Sequence, residues 1–260
     1  AKRVPDVALL VSQTAGDSLS WIDVMNPSVT ATRRYLKGAN NVIDNTISDL
    51  AYLDGMIYIG TVGWLGIVDE LSDDSNVYSL TGNYNWKSTL SNRNAATGYG
   101  LLNSSLVIVN DAVNAVAAIR SPWMLDGHRD VLGRQIQYWA TGTATVGHSS
   151  VSVYNAAGAL TIYDETEAVN STSVFYTPSG NLFWHYDTPA TREAIVWSYS
   201  PISITGDGYA ISEAWDNNST GSEDLRWSNA AVMSGVASVD GASVSGNNSP
   251  RVYAVAASGL

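Results

Sequence analysis

Four consecutive residues, Trp184-His185-Tyr186-Asp187, gather an aromatic face, an imidazole, a phenol and a carboxylate in one short stretch. An aromatic ring beside a histidine and a carboxylate suits a pyranose, whose apolar face stacks while its hydroxyls find hydrogen-bond partners. The same residues offer a general base, His185, polarised by Asp187. Strand alternation works against a single patch, because it puts Trp184 and Tyr186 on one face and His185 on the other. A plain strand with a histidine at its end is the competing reading. Trp64, Trp139 and Trp123 are the other aromatic candidates for ligand contact. Trp123 lies beside Pro122 and Asp126-Gly127-His128-Arg129, where Gly127 signals a turn and Arg129 can pair with Asp130 or meet an acidic sugar.

Glycoside hydrolysis needs two carboxylates flanking the scissile bond. Asp49, Asp54, Asp69, Glu70, Asp164, Glu165, Glu167, Glu213, Asp216, Glu223 and Asp224 are available, none in a distinctive local setting. A weak oxygen-rich loop begins at Asp216, continues through Asn218 and Thr220, and is followed by Gly221. That order resembles the start of a calcium loop, but Trp227 stands where the final bidentate Glu belongs, so an ordinary Asn/Ser turn competes. The expectation is no cofactor beyond, at most, a structural Ca2+. His128, His148 and His185 are far apart and lack zinc-ligand spacing. No Gly-x-Ser-x-Gly elbow or phosphate-binding Gly loop occurs. Asn103, Asn170, Asn217, Asn218 and Asn247 match the glycosylation sequon, which matters only on a eukaryotic secretory route.

Composition narrows the partners. The net charge is −11, and lysine occurs only at Lys2, Lys37 and Lys87, so no basic stripe follows a phosphate backbone. Nucleic acid and anionic membrane surfaces are disfavoured partners. No apolar stretch approaches the roughly 20 residues of a membrane helix, so membrane insertion is not expected. Charged residues make up 14% against 45% hydrophobic, which leaves solubility to Ser, Thr, Asn and Gly. Trp (9) and Tyr (14) far outnumber Phe (2), a bias toward aromatics with a polar edge that suits groove walls and also suits strands. Cysteine is absent, which excludes disulfides and thiolate metal sites.

The elements that must carry these residues are strands. A short apolar run, a polar break and a second apolar run recur: Asp6–Ser12 before Leu19–Asp23, Met56–Thr61 before Trp64–Asp69, and Gln137–Gly142 before Ser150–Tyr154. Fainter echoes start near residues 105, 173, 208 and 251. A repeat of roughly 30 to 50 residues built on hairpins marks a propeller or array. In the fullest unit, Ile47–Leu53 reads as one strand, Asp54-Gly55 as the tight turn, Met56–Thr61 and Trp64–Asp69 as the next strands, and Val77–Leu80 as a shorter outer one. Four antiparallel strands in meander order make one propeller blade. The expected fold is therefore all-β: one domain over residues 1–260, a single β-propeller of about six four-stranded antiparallel blades, five or seven being the alternatives. The N- and C-terminal strands are expected to share one blade, which removes an open edge.

Arg134-Gln-Ile-Gln-Tyr-Trp-Ala-Thr-Gly142 with Val151-Ser-Val-Tyr154, and Pro250-Arg-Val-Tyr-Ala-Val-Ala-Ala-Ser-Gly259, are the sharpest of these phrases. At these hairpins the chain resembles the β-propeller repeats of tail-associated and other virion proteins of tailed bacteriophages. The regular phrase breaks at Gly142–Ser149 and around Asn83–Asn94. The resemblance implies an extracellular or virion-associated module that touches host-surface glycan or other virion subunits. The expected function is non-enzymatic recognition or structure. The alternatives are a propeller glycoside hydrolase or lyase using carboxylates from separate blades, and an architectural component without a ligand.

Overall fold

The computed structural model describes residues 8–13, 18–25, 33–39, 41–86, 90–95, 99–108, 110–120, 137–143, 150–154, 160–164, 170–176, 182–187, 193–198, 213–216, 233–240 and 250–256. The chain divides into two compact units, Ala1–Val113 and Asn114–Leu260. Among the described residues it holds nineteen strands and one five-residue helix.

The first unit opens with β1 (Ala8–Gln13), β2 (Ser18–Asp23) and β3 (Arg33–Leu36), antiparallel in that order. A six-stranded antiparallel meander follows: β4 (Ile47–Leu53), β5 (Met56–Thr61), β6 (Leu65–Asp69), β7 (Asp74–Ser79), β8 (Gly82–Trp86) and β9 (Tyr99–Asn103). The helix α1 (Leu90–Asn94) lies between β8 and β9. The expected strands Ile47–Leu53 and Met56–Thr61 match β4 and β5. Their turn has Asp54 at φ 50° and Gly55 at φ 84°, the paired positive-φ geometry for which Asp-Gly is the favoured sequence. The meander departs from a four-stranded blade. It continues through a two-residue turn, Leu80-Thr81, into β8, and β9 then pairs outside β8. This six-stranded sheet corrects the expectation of uniform four-stranded blades.

Burial explains why the two sheets of this unit hold together. Leu19, Trp21 and Tyr35 from the three-stranded sheet share one core with Ile57, Ile59, Val68 and Val77 from the meander. Val42 and Ile43, on the segment joining the sheets, complete it. β5 and β6 are buried along most of their length, as befits the middle strands of a meander covered by another layer. The turn carrying Asn41–Ile43 is closed by the Gly38 N–H donating to the Ile43 carbonyl at 2.9 Å.

The second unit contains two four-stranded antiparallel meanders and a hairpin. β10 (Val113–Arg120), which begins at the last residue of the first unit, is followed in its sheet by β11 (Gln137–Thr143), β12 (Ser150–Tyr154) and β13 (Leu160–Asp164). β14 (Asn170–Tyr176), β15 (Leu182–Asp187), β16 (Glu193–Ser198) and β17 (Glu213–Asp216) form the next sheet in sequence order. β18 (Met233–Asp240) pairs with β19 (Pro250–Ala256). The two meanders have the strand number and order expected of propeller blades. β19 falls on the phrase expected to be the C-terminal strand; its described partner is β18, while that of β1 is β2. A blade completed from both termini is not carried by the described pairings.

Candidate functional site

The described side chains with the chemistry of a site converge at one end of the β4–β9 sheet. In an antiparallel meander, every second turn falls at the same end. The start of β4, the β5–β6 turn and the β7–β8 turn therefore lie together, with residues 103–108 and 110–113 following from β9. Asp44 and Thr61 meet there: the Thr61 hydroxyl lies 2.8 Å from Asp44 Oδ1 and 2.9 Å from the Trp64 carbonyl. The Gly63 and Trp64 amides donate to Thr61 Oγ1 at 3.2 and 3.0 Å, so Thr61 organises the whole turn. Asp44 packs over Gly63 so closely that a Cβ placed on Gly63 would stand 1.7 Å from Asp44 Oδ2. A side chain at position 63 and the Asp44 carboxyl compete for one volume.

Asp111 arrives from the other side. Its Oδ1 accepts the Leu80 amide at 2.6 Å, tying residues 110–112 to the β7–β8 turn. The Ser48 hydroxyl donates to the Val113 carbonyl, and the Ile108 amide donates to the Ser79 carbonyl at 3.1 Å, so the strand end and the following loop are stitched together. Both carboxyls are partly buried, and desolvation raises both pKa values above the usual aspartate range. For Asp44, the Thr61 hydrogen bond pulls the other way and the charge of Asp111 pushes further up. For Asp111 the opposing influence is the Leu80 amide. Around these acids stand two half-exposed apolar tips, Val62 at 52% and Leu80 at 48%. Exposed Asn45, Thr46, Thr81 and Asn103 add amide and hydroxyl groups.

Of the sequence-based ligand and metal candidates, Trp64 falls in this sheet end, and the rest that are described lie in other sheets. Trp64 lies in the β5–β6 turn, half-buried against the core, and its indole N–H donates to the Val42 carbonyl at 3.0 Å. That bond gives Trp64 a structural task. Trp184, His185, Tyr186 and Asp187 end β15, a strand paired on both sides. Trp184 stands opposite Val174 and Val196, His185 opposite Ser173 and Ile195, Tyr186 opposite Ser171 and Ala194, and Asp187 opposite Asn170 and Glu193. Trp139 is in β11, opposite Tyr154. Asp216 ends β17 opposite Ala194, whereas Asn218, Thr220 and Trp123 lie outside the described residues.

Of the other carboxylates, Asp69 turns its Oδ1 to the Leu71 and Ser72 amides, an ordinary turn role. Glu70 is buried. Glu165, Glu167, Glu223 and Asp224 lie outside the described residues. Among the described residues no group of three or more His, Cys, Asp or Glu could hold a metal ion. Asp44 and Asp111 have no local motif; the one sequence signal is an Asn beside each, Asn45 and Asn110, in short turn-forming clusters.

Comparison with known proteins shows no family. No protein-family model matches the chain. No curated protein matches it either. Among solved structures it is similar to the Dos1 propeller, at 12% identity and a TM-score of 0.38, covering 82% of this chain and 62% of that one. It is also similar to Hsv2p of Kluyveromyces lactis, at 12% identity and a TM-score of 0.34, covering 72% of this chain and 57% of that one. The chain thus spans less than two thirds of the length of either structure.

Proposed function

We propose that this chain is a β-propeller recognition module that binds a neutral, hydroxyl-rich ligand, a glycan, at the Asp44–Asp111 end of its six-stranded sheet. The observation that carries the reading is the joining of two partly buried carboxyls to exposed apolar tips and hydroxyls at one sheet end. A sugar presents apolar C–H faces and a rim of hydroxyls. Val62 and Leu80 suit the first, while Asp44, Asp111 and Thr81 suit the second. The propeller architecture is supported by the two four-stranded meanders β10–β13 and β14–β17, and by β14 running alongside both β11 and β18.

The weakly charged, Tyr- and Trp-rich composition and the resemblance of the hairpins to phage virion repeats support an extracellular or virion setting. The partner there is a cell-surface glycan or another virion subunit. The Trp184–Asp187 stretch is the second place where glycan contact is proposed, on its aromatic and polar residue types alone. One observation favours a catalytic reading beside the first: desolvation raises Asp44 and Asp111, which suits the general acid of a glycoside hydrolase, whose second carboxylate must stay ionised and come from elsewhere.

The test is a glycan array run with the parent chain, with Asp111→Asn and with Trp184→Ala, each array hit being assayed for release of new reducing ends. Binding lost in Asp111→Asn but kept in Trp184→Ala supports the sheet-end site. The reverse pattern moves the site to β15. Release of reducing ends makes the chain a hydrolase. Silence in every arm defeats the glycan reading.

A further inference from the structure

The outer edge of β3 is occupied by side chains instead of a strand. In an antiparallel pair, residues alternate between those that exchange bonds with the neighbour and those whose N–H and C=O face away. Arg34 and Leu36 carry outward groups of β3. The Leu36 amide donates to Asn94 Oδ1 at 2.9 Å, and Asn94 Nδ2 donates to the Arg34 carbonyl at 3.0 Å. One primary amide thereby reproduces both bonds that a neighbouring strand would make. Asn41, itself buried, donates from Nδ2 to the Leu36 carbonyl at 3.1 Å and to the Asn94 carbonyl at 3.0 Å. The end of α1 is therefore fastened along the edge.

The far side of the six-stranded sheet is an edge of the opposite kind. β9 ends the strand order, and among the described residues no strand pairs with its outer side. Leu101 and Leu102 are 56% and 60% exposed, and a Cβ placed on Gly100 would meet nothing within 4 Å. β9 carries no charge, whereas β3 carries Arg33 and Arg34. Two β3 edges would oppose like charges; a β9 edge adds none.

We infer that α1 is a strap, held by Asn94, that keeps β3 from pairing with β9 of a second copy of this chain. An open edge strand is a template for another chain, and natural sheets cover such edges. A β3-to-β9 contact is head-to-tail. Each end copy then keeps one of these two edges unused, so association runs past the dimer.

The experiment compares the full chain with its Asn94→Ala variant by light scattering over a concentration series and by amide hydrogen exchange. Loss of one hydrogen bond corresponds to roughly fivefold to tenfold faster exchange at Leu36, while the Ile59 amide in β5 keeps its protection. The weight-average mass of the variant rises with concentration above that of the parent. Adding Leu36→Pro, which removes the outward N–H and blocks pairing at an edge, returns the mass to the parent's. Adding Leu102→Lys, which charges β9 against Arg33 and Arg34, does the same.

Unchanged exchange at Leu36, or faster exchange without added mass, overturns the inference. Association that survives Leu36→Pro arises from a damaged fold, since a proline cannot restore one, and overturns the role of β3. Association cured by Leu36→Pro but not by Leu102→Lys assigns β3 a different strand and overturns the role of β9.

Discussion

The Tyr35 hydroxyl donates to Glu70 Oε1 at 2.6 Å, and both residues are buried, at 1% and 2% exposure. Tyr35 belongs to the three-stranded sheet and Glu70 follows β6 of the six-stranded one, so this buried polar contact ties the two layers at a defined offset. The Glu70 amide donates to the Gly55 carbonyl at 2.8 Å, which fixes that residue to the β4–β5 turn as well. Hydrophobic contacts between Leu19, Trp21, Ile57 and Ile59 hold the layers together without specifying where they stop sliding. The Tyr35–Glu70 bond supplies that position.

Tyr35→Phe keeps the ring and removes the donor. Leaving a buried carboxyl short of one partner costs about 1–3 kcal/mol. Urea unfolding should show a lower midpoint with the slope unchanged; an unaltered midpoint would show the bond to be dispensable.

Gly63→Ala tests the closeness of the β5–β6 turn to Asp44. The new methyl cannot share space with Asp44 Oδ2, so the carboxyl must swing toward solvent. Released from burial, its pKa should fall toward the ordinary aspartate value of 3.8. A carboxyl-detected NMR titration of parent and variant reads this directly. An Asp44 titration midpoint that stays high in the variant refutes the close packing.

Asp44→Asn should stabilise the chain at neutral pH. The sign follows from the direction of the shift. A carboxyl whose folded pKa is raised above its unfolded value binds its proton more tightly when folded, so ionisation favours unfolding. That penalty is absent below the unfolded value, builds as pH rises through the folded pKa, and is complete above it. Asn keeps an acceptor for Thr61 and cannot ionise. The advantage of the variant over the parent should therefore be present at pH 7 and disappear on acidification below the ordinary aspartate value of 3.8. Thermal unfolding across that range decides; an advantage that grows on acidification contradicts the assignment.

Trp64→Phe separates structure from recognition at the same turn. It retains an aromatic body against the core but loses the indole N–H that meets the Val42 carbonyl. A net loss of about 0.5–1.5 kcal/mol is expected, with glycan affinity unchanged. Lost affinity in a fully folded variant would return Trp64 to the ligand surface.

What could be read from the sequence was local. Asp54-Gly55 between two apolar runs dictates its hairpin because few other pairs tolerate positive φ at both turn positions, and β4 and β5 fall where that reading puts them. The β7–β8 hairpin was missed because Leu80-Thr81 has no such chemistry; its turn is held by Ser79 Oγ, which accepts the Thr81 amide at 3.1 Å, and by Asp111, distant in sequence. For the same reason the sequence reading ends this meander two strands too soon.

The site was hidden for a related cause. Asp44 and Asp111 are 67 positions apart (111 − 44), and only the strand pairing between them brings both to one end of the sheet. Trp64 was legible as an aromatic in a turn, but not its indole bond to Val42, which depends on a close approach that no spacing rule encodes.

Glycan recognition by the Asp44–Asp111 sheet end is tested most directly by the affinity of the best array ligand for the parent, Asp111→Asn and Asp44→Asn chains, read by titration calorimetry. Measurable binding by the parent and about tenfold weaker binding by each variant are expected, a loss of roughly 1.4 kcal/mol that is within the range for one ordinary hydrogen bond. Parent-like affinity in both folded variants, or no ligand for the parent at all, would contradict it.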